Sequence, residues 1–403
     1  MTKLDELIQE LCPDGVKYKA LGEICKLVTG ATPSKTNAAY WENGTIPWMS
    51  SGEVNLKRVA ATEKKITQLG YEKNSTTIVP KHSVVIALAG QGKTRGKAAI
   101  TEIELCTNQS LCSMICNENL DYKFLYYILD GKYEELRAIS NGDGTRGGLS
   151  LKILAPYKIP VPPLPVQREI VRILDNFTEL TAELTAELTA RKQQYAYYRN
   201  KLLKKNTKAI KMEFGDMFNF QNGFAFKSRL FKKSGNAILR IANIKENQIS
   251  TDNLAFFDEA DYKEDLSQYI VRQSDIVIAM SGATTGKIGV NVTPFNFYLN
   301  QRVGKFIPKE NIILNRYLYH LLLQMSGEIY AISEGGAQPN LSSEKLKKLT
   351  AYIPPISEQK RIVKVLDRFD TLCTDLSSGL PAEIEARQKQ YEYYRNKLLD
   401  FEQ

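Results

Sequence analysis

The sequence predicts an α+β protein in which two similar globular domains are separated by two long antiparallel coiled-coil helices, related by a pseudo-twofold internal repeat. Three observations carry this reading. The 403-residue chain repeats itself at an offset of about 192 residues. Each copy ends in a long stretch whose apolar residues recur at three-four spacing, the pattern of a helix burying one stripe. The globular parts contain short apolar runs such as VVIALAG (84–90) and DIVIAM (275–280), which are strand-length and far too short to span a membrane.

The repeat is most direct in the helices. VPPLPVQREIVRILDNF (161–177) matches IPPISEQKRIVKVLDRF (353–369), and ARKQQYAYYRNKLL (190–203) matches ARQKQYEYYRNKLL (386–399). The globular parts share only a skeleton. IVPKHSVVIALAG (78–90) matches IVRQSDIVIAMSG (270–282), Asn108-Gln109 matches Asn300-Gln301, FLYYIL (124–129) matches YLYHLL (317–322), and Leu149-Ser150 matches Leu341-Ser342. Nearly identical helices beside diverged globular segments suggest two modules of one shape that read different targets.

Proline-rich joints mark the helix starts, because proline tolerates a first turn and resists a helix interior. Pro160, Pro162, Pro163 and Pro165 precede the first helix, and Pro354 and Pro355 the second. The first stripe runs Ile170, Ile173, Phe177, Leu180, Leu184, Leu188, Tyr195, Tyr198, Leu202. The second runs Ile362, Val365, Phe369, Leu372, Leu376, Ile384, Tyr391, Tyr394, Leu398. Such helices span roughly 50–60 Å, and each stripe needs a partner. The other copy's helix, packed antiparallel, is the simplest one, and it places the modules at opposite ends of a rod. TELTAELTAELTAR (178–191) is a tandem TAEL tetrapeptide inside the first helix. Each unit adds about 6 Å of rise. The second helix carries Gly379 and Pro381, which should kink or interrupt it.

Composition narrows the function classes. The formal charge of +9 favours a polyanionic partner. The acidic, amphipathic N-terminus MTKLDELIQELCPDG is no secretory signal, so a cytoplasmic protein without membrane association is expected. Six cysteines form no CxxC pair and read as small buried thiols. The two histidines, His82 and His320, have no ligand spacing, so neither a metal nor a cofactor is expected. No [DNS]PP[YF] methyltransferase tetrapeptide, FxGxG cofactor loop or PD…(D/E)xK nuclease core occurs, which leaves catalysis to partners. The loose P-loop ALAGQGKT (87–94) keeps a rival reading open, an NTPase using Lys93 and Thr94. A structural coiled-coil adaptor is the third alternative.

With its paired YYRNKLL ends, its QREIVRILDNF and QKRIVKVLDRF helix starts and its TAEL tandem, the chain resembles the specificity subunit of type I restriction–modification systems, in the TAEL-repeat subclass. The resemblance covers essentially the whole chain. It implies a non-catalytic subunit that binds double-stranded DNA, each domain reading one half of a bipartite asymmetric site. It further implies that the helices dock two methyltransferase (modification) subunits, which carry the S-adenosylmethionine site, and that restriction/translocase subunits join them. The expected organisation is an N-terminal helical segment (1–13), a first target-recognition domain (14–155), a central spacer helix (156–210), a second recognition domain (211–350) and a distal spacer helix (351–403). The helical Lys3–Leu11 stretch could pack beside the end of the rod.

Candidate DNA contacts lie on two pairs of loops. Lys93, Thr94, Arg95 and Lys97 in the first copy, and Thr284, Thr285 and Lys287 in the second, sit on glycine-rich loops after equivalent strands. Basic and hydroxyl groups there suit close approach to phosphates or base edges. SNGDGTRGGLS (140–150) and SEGGAQPNLS (333–342) hold equivalent places but carry different tips, Thr145 and Arg146 against Gln338 and Asn340. Arginine is the type that reads guanine, and glutamine and asparagine are types that pair adenine. Arg240 and Asn243 complete the candidate set.

Overall fold

The computed structural model describes residues 2–90, 94–140, 148–204, 208–333, 339–375 and 379–401. The chain divides into two compact units, residues 1–183 with 385–403, and residues 184–384. Each unit therefore combines one globular module with helix from both copies.

In the first unit the strands Cys25–Thr29, Leu111–Cys116, Val84–Ala87, Ala98–Thr101 and Arg58–Val59 form, in that order, a five-stranded sheet. A second sheet contains, in order, Lys64–Ile66, Ile46–Met49, Leu105–Thr107 and Ile78–Val79. All four residues of Val84–Ala87 are buried because both faces of this strand are covered. Val84 and Ile86 face helix Tyr122–Gly131 and the start of the first long helix, with Phe124, Leu125, Ile170 and Leu174. Val85 and Ala87 face the second sheet, with Met49, Val79 and Leu105.

The second unit repeats this plan. Phe218–Asn222, Val303–Pro308, Ile276–Ala279, Ile288–Val290, Gln248–Ile249 and Ile244–Lys245 make the main sheet. Ala255–Phe257, Asn236–Leu239, Phe297–Leu299 and Ile270–Val271 make the second. Ile276 and Ile278 pack with Leu318, Leu322, Ile362 and Leu366, while Val277 and Ala279 pack with Leu239, Val271 and Leu299. The alternating split of one apolar run between two cores is the period-two geometry of a strand.

The first long helix, Leu164–Leu202, is unbroken over 39 residues and contains the TAEL tandem. Its counterpart is interrupted, as Gly379 and Pro381 foretold. Ile356–Thr374 ends, and Leu380–Leu399 begins with Pro381 in its first turn. Within each unit the helices run antiparallel and come from different copies. In the first unit Phe177 stacks on Tyr394 at 5.3 Å. In the second unit Phe369 stacks on Tyr198 at 5.4 Å, the same pair with the copies exchanged. This exchange is the internal repeat expressed in the packing within each unit.

The joint between module and helix is also duplicated. Gln167, fully buried, donates to the carbonyls of Asn119 (2.9 Å) and Pro162 (2.7 Å) and accepts from the Asp121 N–H (2.8 Å). Gln359 does the same with Ile312, Pro354 and Leu314, all at 2.9 Å. Helix Lys3–Leu11 packs where the sequence allowed it, burying Leu4 in the first unit's core and pairing Lys3 with Glu169 at 3.2 Å. All six cysteines are free thiols and five are buried. Among the described residues no helix is long and apolar enough to cross a membrane.

Candidate nucleic-acid interface

The two glycine-rich loops fold alike. After Val84–Ala87 the chain turns back so that the Ala87 N–H donates to Lys97 O (2.9 Å) and the Gly96 N–H to Ala87 O (2.9 Å). After Ile276–Ala279 the Ala279 N–H donates to Lys287 O (2.9 Å) and the Gly286 N–H to Ala279 O (2.8 Å). Gly96 and Gly286 both have φ +83°, the left-handed conformation that a residue with a side chain adopts only under strain. Lys97 and Lys287 thus occupy one structural position.

Two further segments are tied to each loop by backbone hydrogen bonds. In the first unit the Leu88 N–H donates to Ser110 O (2.8 Å) and the Leu149 N–H to Leu88 O (2.8 Å). In the second unit the Met280 N–H donates to Arg302 O (2.8 Å) and the Leu341 N–H to Met280 O (2.7 Å). The glycine loop is therefore the middle rung of a three-loop frame, flanked by the Asn-Gln turn on one side and the second candidate loop on the other. In the second unit the frame is reinforced. Ser281 bridges Asn340, the Gly282 N–H donates to Pro339 O (3.0 Å), and the Thr285 hydroxyl donates to Gly282 O (2.7 Å) and Pro339 O (2.8 Å).

This frame also places Arg240 and Asn243. The turn Ile241–Asn243 follows strand Asn236–Leu239, whose Leu239 carbonyl accepts the Asn300 N–H (3.1 Å). Ile241 lies against Gly282, 3.6 Å from where a Cβ would stand. The Arg240 guanidinium donates to Asn253 O, and Asn243 uses its amide to bind Asp252 O (2.8 Å) and Arg240 N (3.2 Å).

Not every candidate faces outward. Lys287 and Asn340 are exposed, and Thr94, Lys97, Arg240 and Thr284 are half-buried. Lys97 Nζ donates to Asn55 Oδ1 at 2.8 Å. Arg95, Asn243 and Thr285 are buried. The physical reason is visible for two of them. Asn243 caps its own turn, and Thr285 pins the glycine loop to Pro339. Lys93, Thr145, Arg146 and Gln338 lie outside the described residues. Sequence reasoning missed Arg302, which is exposed beside the loop frame, and the role of Asn55 beside Lys97. Three buried polar atoms gather near this frame without a hydrogen-bond partner among the described residues, namely Arg240 Nε, Ser281 Oγ and Thr284 Oγ1. Unpaired buried donors and acceptors of this kind are rare and are commonly satisfied by water or ligand.

The loop topology removes the P-loop reading. A phosphate-cradling P-loop opens into a helix whose N-terminus faces the phosphates. Here the loop after Val84–Ala87 opens into strand Ala98–Thr101, which returns antiparallel to it. The second copy does likewise with Ile288–Val290.

The sequence profile of the type I restriction modification DNA specificity domain matches this chain twice, over residues 13–191 and 206–386. The chain belongs to that family. It is 30% identical to the type I restriction enzyme EcoR124I/EcoR124II specificity subunit of Escherichia coli, over all of this chain and 97% of that protein. It is 34% identical to a putative type I restriction enzyme specificity subunit of Haemophilus influenzae, over 70% of this chain and 73% of that one. Its fold resembles the solved S subunit of a type I restriction–modification system from M. genitalium, with a TM-score of 0.58 at 17% identity and 96% coverage of both chains. A chain from a structural study of complex assembly and conformational transition in the type I R-M system gives a TM-score of 0.63 at 15% identity, covering 96% of this chain and 98% of that one. Both family matches contain one glycine loop, one Asn-Gln turn and the start of one long helix.

Proposed function

We propose that this chain is the non-catalytic, DNA-reading subunit of a cytoplasmic type I restriction–modification complex, and that each loop frame reads one half of a bipartite, asymmetric double-stranded site. One observation carries the reading: the same three-loop frame occurs in both units but presents different polar side chains. A shared frame fixes a shared docking geometry, and different tips select different bases. Net positive charge supplies the sequence-independent attraction, so affinity should fall with salt. The long helices set the distance between half-sites and dock two methyltransferase subunits, with restriction/translocase subunits completing the assembly. The candidate contacts are Lys93, Thr94, Lys97, Thr145 and Arg146 for one half-site and Arg240, Thr284, Lys287, Gln338 and Asn340 for the other. Asn243 and Thr285 shape the loops that carry these contacts, and Arg95 is a further candidate on the first glycine loop.

Loop substitution tests the division of labour. The chain with Gln338→Ala and Asn340→Ala is expressed with its methyltransferase subunits, and the host's methylated motif is sequenced. The expected result is relaxed or lost recognition in one half-site with the other half unchanged. Changes spread over both halves would contradict the proposal.

A further inference from the structure

Asn108-Gln109 and Asn300-Gln301 are retained in both copies although the residues beside them differ, Ser110 against Arg302. Packing explains the asparagines. Asn108 Oδ1 accepts the Ser110 N–H at 3.0 Å, and Asn300 Oδ1 accepts the Arg302 N–H at 3.4 Å, each bracing a tight turn. Their backbones also match. The Asn108 N–H donates to Met49 O and the Asn300 N–H to Leu239 O, both at 3.1 Å. The carbonyls of Asn108 and Asn300 then accept the N–H groups of Leu111 and Val303.

No hydrogen bond shared by both copies explains the glutamines. Gln109 and Gln301 are exposed, neither belongs to a core, and the Gln301 side chain has no hydrogen-bond partner among the described residues. Both stand on the turn that is hydrogen-bonded to the glycine loop. A side chain kept in two diverged recognition modules, at one structural position and without a packing role, contacts what is common to both targets.

We propose that Gln109 and Gln301 bind the phosphodiester backbone of DNA, the part that both half-sites share whatever their sequence. This inference rests on the recognition reading above. Further support comes from the first unit, where the Thr32 hydroxyl donates to Gln109 Oε1. With the amide oxygen turned to Thr32, the amide N–H groups are left to donate, and a donor is what a phosphate oxygen requires. The two glutamines are thus anchors that hold each module in register, while the diverged neighbours read bases.

The test uses the full-length chain in its assembled complex, with Gln109→Ala, Gln301→Ala and the corresponding Glu variants. Binding is measured on a duplex carrying the recognised site and on duplexes with either half-site scrambled. Each Ala variant is expected to weaken binding about tenfold on every duplex, as for a lost hydrogen bond to a charged group. The methylated motif, the unfolding midpoint and the slope of log K against log salt should stay unchanged, since a neutral amide displaces no counterion. The Glu variants should weaken binding further by repelling phosphate. Unchanged affinity would overturn the inference, as would a loss confined to duplexes bearing one particular base. If the native complex shows no sequence preference at all, the recognition reading itself falls, a result distinguishable from either of these.

Discussion

Tyr127 and His320 occupy one position in the two units, and each reaches the matching aspartate of the adjoining long helix. The Tyr127 hydroxyl donates to Asp175 at 2.6 Å, and His320 Nε2 lies 2.7 Å from Asp367. Lys123 and Arg316 support these carboxylates at 2.6 and 2.8 Å. The module–helix joint is thus a partly buried polar contact whose chemistry has diverged while its geometry has not. The exchange of tyrosine for histidine gives one joint a group that ordinarily titrates near neutral pH, which the other lacks.

That difference has a pH signature. His320 is fully buried, with Nδ1 against the Tyr195 hydroxyl at 2.8 Å, and burial lowers its pKa although the Asp367 hydrogen bond opposes the shift. A histidine held neutral by the fold contributes stability that is present above its unfolded pKa of about 6.5 and is lost as pH falls towards the folded value. For Asp367 burial acts upward, but the His320 and Arg316 hydrogen bonds outweigh it, so its pKa is lowered and its contribution fades only in the acid range. Denaturant unfolding at pH 7.5 and 5.5 should show the native chain losing stability across that interval. His320→Gln should remove most of the difference, and an equal pH dependence in the variant would reject this assignment.

The buried glutamines at the helix starts are predicted to be large single contributors to stability. Gln167→Ala or Gln359→Ala removes three hydrogen bonds and leaves backbone groups unpaired, at a cost of about 2–4 kcal/mol. Chemical denaturation measures this directly. A cost below about 0.5 kcal/mol, the range of ordinary surface changes, would contradict the role.

Gly96 and Gly286 should matter more for binding than for folding. Alanine at φ +83° costs about 1 kcal/mol of strain and moves the glycine loop. Gly286→Ala should lower affinity for one half-site selectively while the unfolding midpoint shifts by only a few degrees. Equal binding by both proteins in titrations would argue that the loop does not meet DNA.

Lys97 and Lys287 are predicted to contact phosphates. Replacing either by alanine should weaken binding on all sequences and reduce the salt slope by about 1. An unchanged slope would place these side chains away from the backbone.

One further TAEL unit inserted after Leu188 should lengthen the recognised gap without altering either half-site, since the tandem lies inside an unbroken helix. Four residues add about 6 Å. Methylated-motif sequencing that found new bases with an unchanged gap would rule this out.

Much of the architecture was legible because it depends on local rules. Apolar stripes and proline joints predicted the long helices, Gly379 with Pro381 predicted the break, and strand-length runs predicted a glycine loop after an equivalent strand in each module. The orientation of loop side chains was not legible. Arg95, Asn243 and Thr285 carry the residue types of a DNA contact yet are buried, and for Thr285 the deciding partner, Pro339, lies 54 residues away. The P-loop pattern failed for a related reason, since only tertiary pairing shows that Ala98–Thr101 is a returning strand. The Asn-Gln repeat was visible from the start, but its place beside the glycine loop came from the Leu88–Ser110 and Met280–Arg302 hydrogen bonds.

The most direct test of the central claim is sequencing of methylated bases in a host that carries the native chain with its methyltransferase subunits, compared with the same host lacking this chain. The account predicts a motif dependent on this chain, made of two different half-sites separated by a gap of constant length. A continuous motif, or methylation indifferent to the presence of this chain, would contradict it.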